Sequence, residues 1–353
     1  MPALHQPIHK TLSGVSRRQG LLARIAAAAM LVCGGMASAP SIAAGGATAP
    51  AAAAQPGAGP VKQIRRGTAH DALYDVAFEG QRGVAVGAFG TVLATADGGS
   101  TWERQAFPMS NLALMSVAMR EGKCIAVGQV GLAYTSDDCK SWKAVPTGTK
   151  SRLLSVDMNR QGLAYAIGGF GTILRSTDWG KTWAAQTVDW SNITTDGAEP
   201  HLYDLHVGDD GTVTAVGEFE LVLRTSGDGS AWKVLHKGER SLFGLTVTGG
   251  KLYAAGQSGA FLMSTNDGGT WNSVSTGTGA ILTGVHASDK GELTLSGINS
   301  VVVSPDGGAT WKSVASPLVR SASYQALATS EGSGGKRRLI AVGAGGSIIE
   351  LDQ

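Results

Sequence analysis

The sequence predicts an all-β protein, a seven-bladed β-propeller in which an N-terminal strand closes the last blade. Three observations lead there. Glycine fills 51 of 353 positions, about twice the usual ~7%, with no three-residue period. Tryptophan recurs at Trp102, Trp142, Trp183, Trp232, Trp271 and Trp311, at spacings of 40, 41, 49, 39 and 40 residues. Around each Trp lies one unit: a Leu-x-x-Val segment, a Val-Gly-x-x-Gly turn, an apolar strand and a Ser/Thr-x-Asp-x-Gly-x-Thr-Trp box. A period of about 40 residues built of short strands is a propeller signature. Apolar residues make up 43% of the chain, too many for a disordered protein.

The chain opens on an export signal, residues 1–44. Arg17, Arg18 and Arg24 form a positive n-region, and Ile25–Met36 is an apolar run of twelve residues. That is short of the ~20 needed to span a bilayer. Ser41-Ile42-Ala43 supplies a small-x-small cleavage site. Ser16-Arg17-Arg18-Gln19-Gly20-Leu21-Leu22 is similar to a twin-arginine signal, but Gly20 stands where Phe is usual. Export through Sec rather than Tat into a periplasmic or lumenal space is therefore expected. An uncleaved anchor and lipidation of Cys33 rank below cleavage, the latter because Val32 is a poor lipobox residue. Residues 45–60 contain only Gly, Ala, Thr, Pro and Gln and read as a disordered linker. The propeller is assigned to 61–353.

Each unit divides into four strands, a to d. In the first, Leu73–Phe78 is a, Gly83–Val86 is b, Thr91–Ala96 is c and Trp102–Ala106 is d. Gly87 to Gly90 forms the b–c turn, where a positive φ is expected and glycine carries no steric penalty. Leu114, Leu153, Leu202, Leu242 and Leu282 open the later strands a. In the box, the Asp carboxylate is expected to accept backbone N–H bonds within the turn, and the Trp to lie as an apolar plate between blades. The acid is read at Asp97, Asp137, Asp178 and Asp306, with Asn266 in its place in the fifth box and Asp228 one position late in the fourth. Such scatter suits local turn clips, not a catalytic ring.

A seventh unit lacks its Trp. Tyr324–Leu327, Leu339–Gly343 and Gly346–Leu351 match strands a, b and c, and the chain then stops. The missing strand d is found at the other end, in Val61–Arg65, where pairing with strand c removes an exposed edge.

Net charge is +2, but residues 1–44 hold four basic residues and no acid, leaving 25 basic against 27 acidic. A near-neutral body argues against nucleic acid as a partner. Cys33 leaves with the leader. Cys124 begins strand b of the second unit and Cys139 sits in its box, so antiparallel pairing brings them to one blade edge. A Cys124–Cys139 disulfide is expected in an oxidising compartment.

The combination of Leu-x-x-Val, the Val-Gly turn and the Asp box is clearest at Ile167-Gly168-Gly169-Phe170-Gly171-Thr172-Ile173-Leu174-Arg175-Ser176. It resembles the photosystem II stability and assembly factor family of BNR-type propellers, over about residues 61–353. The resemblance implies an exported, seven-bladed, non-enzymatic scaffold that docks membrane-protein or envelope-complex subunits. No cofactor is implied. Contact with the membrane would be peripheral at most, and the chain a monomer.

Enzyme readings find little footing. A sialidase needs an arginine triad and a Tyr/Glu nucleophile pair, and the Arg-Ile-Pro motif of such enzymes is missing. The strand tyrosines read as packing. His201 and His206, five apart on a strand, face opposite ways, so no metal site is expected. No Gly-x-Ser-x-Gly stands in a strand–turn–helix context, and strands rather than helices follow the Gly-rich turns. Catalytic residues are therefore not assigned. A carbohydrate-active or carbohydrate-binding propeller is the alternative, with an accessory protein of an envelope transporter as a third reading.

A binding face is expected where the b–c turns and d–a loops meet. The turns place Phe89, Val130, Phe170 and Phe219 there, and the loops add Phe107, Met109, Trp190 and Val319. Arg152, Arg240 and Arg320 each stand just before a strand a. The partner-binding set read from this pattern is Arg152, Arg240, Arg320, Phe89, Phe170, Phe219 and Trp190. The 49-residue spacing locates an insertion at 188–200, a candidate contact loop.

Overall fold

A computed structural model of the chain describes residues 61–108 and 111–352. The leader, the linker and Met109 lie outside the described residues. Among those described are seven antiparallel four-stranded sheets. Blade 1 comprises Leu73–Glu79, Arg82–Gly87, Val92–Thr95 and Glu103–Arg104 as strands a to d. Five further blades repeat that order. Blade 7 comprises Tyr324–Glu331, Arg337–Gly343, Ile348–Leu351 and, as its strand d, Val61–Arg65. Val61 pairs with Leu351 and Lys62 with Glu350. The ring is closed by joining its two chain ends in one sheet.

In blade 1 strands c and d are shorter than the sequence suggests. Strand c of blade 1 is four residues and strand d two. Strand d is outermost, pairs on one side only, and its polar residues gain nothing from continuing the ladder.

Seven apolar clusters fill the seven blade interfaces. Each Trp packs against strands of the preceding blade, as Trp311 does on Phe261, ring centroids 5.2 Å apart. Trp232 stands edge-on to Tyr165 at 6.1 Å. A buried ion pair strengthens the closure between blades 7 and 1. Arg338 meets Glu350 at 2.8 Å and also donates to the Gly98 carbonyl and the Ser100 hydroxyl of the first box.

The first glycine of the repeated Val-Gly turn is required for a different reason from the last. Gly87 is extended, at φ −170°, so it is not the residue that needs a left-handed backbone. A Cβ on it would lie 1.9 Å from the Ala72 carbonyl oxygen. The corresponding glycines, Gly128, Gly168, Gly217, Gly256, Gly297 and Gly343, meet the same obstruction at 1.9–2.4 Å. Strand b thus passes so close to the start of strand a that only glycine fits. The left-handed residues are two and three places later, Phe89 (φ 53°) and Gly90 (φ 61°), so the expected positive φ is found at the closing glycine of the turn.

The boxes act as turn clips. Asp306 accepts from the Thr310 hydroxyl (2.6 Å), the Thr310 N–H (2.8 Å) and the Ser304 hydroxyl (2.7 Å). These bonds, that of the Thr310 hydroxyl foremost, hold its pKa at about 2. In the second box the clip is Asp138, not Asp137. Asp138 accepts from the N–H groups of Lys140 and Ser141, while Asp137 points outward to Lys123 and Lys181 at 3.4 Å each. The reason is a box one residue shorter, counted from Ser136 at the end of strand c to Trp142, which displaces the acid by one. Cys139 takes a left-handed backbone there (φ 56°) and is bonded to Cys124, with Cα atoms 5.1 Å apart.

Candidate functional site

The b–c turns and d–a loops form one face, tied by backbone hydrogen bonds. Gly90 donates to Leu112, Gly171 to Pro200, Gly259 to Ala280 and Asn299 to Ala322, at 2.7–3.0 Å. At the tip of each turn the residue two places after the first glycine adopts the left-handed conformation: Phe89, Val130, Phe170, Phe219, Ser258, Asn299 and Gly345, with φ between 53° and 66°; in every blade but the sixth the next residue, Gly90, Gly131, Gly171, Glu220, Gly259 or Gly346, does so too. Glycine and asparagine suit that backbone, whereas bulky or β-branched residues are strained by it. Blades 5 to 7 follow the steric rule with Asn, Gly and the small Ser. Blades 1 to 4 break it with three phenylalanines and a valine.

Those four side chains also lie open to solvent. Phe89 is 58% exposed, Val130 53%, Phe170 68% and Phe219 42%. Folding therefore explains neither their size nor their apolarity. Together they make an apolar arc, one exposed side chain on each of four consecutive blades. A groove of about 350 Å³ runs beside Val130, lined among others by Leu132, Tyr134, Pro146 and Lys150.

The d–a loop residues behave differently. Trp190 is 7% exposed and packs beneath the b–c turn of blade 3, where its indole fills the space a Cβ on Gly171 would need. It is a core residue and not part of a docking rim, which corrects the sequence reading. The inserted segment forms two short 3-10 turns, Trp190–Asn192 and Thr195–Gly197, that turn the ring inward. Val319 is likewise buried, and Phe107 packs on Tyr134 and Trp142.

The three arginines reach the same face in different states. Arg320 ends a short helical turn, Pro317–Arg320, and is exposed. Arg240 is engaged by the buried Glu220 at 2.5 Å, so its charge is largely neutralised locally. Arg152 is half-buried, its carbonyl accepts from Gly169, and its charge lies near Tyr74. His201 sits 5.0 Å from the Phe170 ring, while His206 pairs with Asp157 at 3.3 Å. Among the described residues no group of three or more His, Cys, Asp or Glu could hold a metal ion.

Inside the arc the central channel opens. Its volume is about 190 Å³. The second residue of each strand a forms an upper ring: Tyr74, Met115, Leu154, Tyr203, Phe243, Thr283 and Gln325. The next residue forms a lower ring that includes Asp75, Ser116, Ser155 and Asp204. A β-bulge between the first and third residues of every strand a presents both rings to the channel. Hydrogen bonds run from blade to blade through the lower ring. Asp75 accepts from Ser116 Oγ (2.6 Å) and the Val117 N–H (2.9 Å). Ser155 and the Leu245 N–H donate to Asp204 at 3.0 and 2.8 Å. Desolvation in the narrow channel outweighs these bonds and pushes Asp75 up to about 6 and Asp204 to about 7. The sequence motif marked strand a but not this polar ring, since a residue facing a channel carries no local signal.

No helix among the described residues is long and apolar enough to cross a membrane. Among curated protein sequences, none matches this chain. Solved structures of similar fold include YCF48 bound to a D1 peptide, 20% identical with a TM-score of 0.66, covering 84% of this chain and 97% of that one. YCF48 from Cyanidioschyzon merolae is 21% identical, TM-score 0.65, over 82% and 98% of the two chains. The WD40 propeller domain of Doa1 is 12% identical, TM-score 0.64, over 83% and 97%. Those identities speak for the fold alone. The profile of the Photosynthesis system II assembly factor YCF48 family, however, matches residues 58–334, which takes in six of the seven Val-Gly turns, all six Trp boxes and the arc. With most of the chain matched on those features, this propeller belongs to the photosystem II assembly factor YCF48 family.

Proposed function

We propose that this chain is an exported assembly scaffold, without chemistry of its own, that docks a segment of a membrane-protein or envelope-complex subunit on the turn face. One observation carries the reading: four consecutive blades hold large apolar side chains, exposed, at backbone positions that disfavour them. Strain retained at a surface without a packing return marks a binding function. Two further findings support it. The family is named for assembly, and a relative of the same fold binds a D1 peptide. Lys150, which lines the groove beside Val130, supplies a polar rim.

The test is affinity capture from membranes of the host with the full chain, comparing wild type with Phe89→Ser/Phe170→Ser/Phe219→Ser. Loss of a captured membrane subunit from the triple variant, with unchanged thermal stability, is expected. An unchanged partner set would sink the proposed face. Turnover of a sialoside or glucan would overturn the non-enzymatic reading. Export is tested by fractionation: a mature chain shortened by about 43 residues in the exported fraction is expected, and a full-length cytoplasmic chain would refute it.

A further inference from the structure

We infer that the channel mouth inside the turn face is a pocket for one cationic side chain, a lysine or arginine carried by the docked segment. This rests on the docking reading for the source of the side chain, though not for the pocket itself.

The pocket is amphipathic along its depth. Its upper ring offers hydrocarbon and aromatic surface from Tyr74, Leu154, Tyr203 and Phe243, with Tyr203 and Phe243 edge-to-face at 4.8 Å. One residue deeper, about 3.3 Å along the strand, stand Asp75 and Asp204, contributed by blades 1 and 4. Each is fixed by two backbone N–H groups and a serine hydroxyl. Among the described residues neither carboxylate meets a Lys, Arg or His within ion-pair distance, and the charge of Asp75 acts on Asp204 to make its ionisation harder.

Each candidate occupant can be tested against this layout. An anion would face two carboxylates. A neutral apolar chain would press hydrocarbon on them. A metal ion would find too few protein ligands, because among the described residues no third acid or histidine joins the two carboxylates. A lysine or arginine matches both layers. Its aliphatic stem suits the upper ring, its charge interacts with the tyrosine and phenylalanine rings, and its head reaches the carboxylates and relieves their repulsion. About 190 Å³ admits one such side chain. The other charged or titratable groups nearby are Arg152 beside Tyr74, Glu218 beside Tyr203, and Asp157, which is paired with His206. Arg152 and Glu218 are of opposite sign and leave the mouth near neutral.

The amides of Val117 and Leu245 donate to the two carboxylates and report on them directly. Nitrogen-15-labelled full chain is titrated at pH 8 with acetyl-Gly-Lys-Gly-amide, with the near-isosteric acetyl-Gly-norleucine-Gly-amide, and with n-butylammonium. Saturable shifts of both amides are expected with the lysine peptide. Binding of the norleucine peptide should be at least about tenfold weaker. In Asp75→Asn/Asp204→Asn the shifts should vanish. Equal responses to lysine and norleucine in the wild type, or none to either, would overturn the pocket, and that comparison needs no variant. Response to n-butylammonium without response to the lysine peptide would assign the site to a free amine and overturn the side-chain source. Failure of the docking reading shows separately, as membrane capture unaffected by the phenylalanine substitutions.

Discussion

Replacing the left-handed tip residues by glycine separates what folding needs from what binding needs. Val130, at φ 55°, is the sharpest case, because a β-branched side chain is least tolerant of that backbone. Holding a non-glycine residue there costs about 1–2 kcal/mol. Glycine removes that strain but gives back about 0.5–1 kcal/mol through the greater freedom of the unfolded chain. Val130 is 53% exposed, so little packing is lost. Val130→Gly should therefore stabilise the protein by about 0.5–1 kcal/mol. For Phe170→Gly the balance lies nearer zero, since the ring also gives up its contact with His201 at 5.0 Å. Urea unfolding followed by Trp fluorescence measures both; a gain of 1 kcal/mol would raise Tm by about 2–4 °C in a domain somewhat smaller than this one. The same variants should weaken capture of the membrane partner. Ser258→Gly, on the polar side of the ring, should gain stability and leave capture unchanged. A loss of more than about 1 kcal/mol in Val130→Gly would mean that the side chain packs after all, and the argument from strain to function would fall.

Three other outcomes follow from the same structure. Deleting residues 61–66 strips the strand that covers Ile348–Leu351 and withdraws the half-buried Val61 and Ile64; a loss of at least about 3 kcal/mol is expected, and a truncated chain that melts like the parent would contradict closure. Cys124→Ser/Cys139→Ser opens a loop of sequence separation 15 and should lower stability by about 3 kcal/mol, an effect that reductant should reproduce on the parent and not on the variant. The pH dependence has two limbs of opposite sign. Asp97 and Asp306, held at about 2, contribute stability above their unfolded value near 4 that is lost as pH falls toward 2. Asp75 and Asp204, raised to about 6 and 7, contribute stability below about pH 4 that is lost as pH rises through 6 to 7. Unfolding titrations should therefore place the maximum at mildly acidic pH, and Asp75→Asn/Asp204→Asn should flatten the upper limb. A parent whose stability is level from pH 4 to 8 would refute this account.

Much of the architecture was legible along the chain because each unit carries its own local chemistry. A Trp box, a Val-Gly turn and a Leu-x-x-Val strand state their roles within about 40 residues, and counting them yields seven blades. The strand at Val61–Arg65 was legible because a repeat short of one strand at one end and long by one at the other has a single economical closure. What the tertiary structure decided is which way side chains face and what stands opposite them. Gly87 reads as a turn glycine, yet the carbonyl of Ala72 excludes its Cβ, a contact between strands. Trp190 reads as a surface aromatic on a long loop, yet the loop folds it under Gly171. Arg240 reads as a free cation until Glu220, twenty residues earlier in the chain, lies against it. Asp75 and Asp204 stand at an unspecified position of the strand-a segment and come to line one channel only because seven strands converge on one axis. Periodicity records how a chain pairs with itself nearby; burial, partnership and the inside of a ring depend on residues far apart in sequence, which meet only when the ring closes.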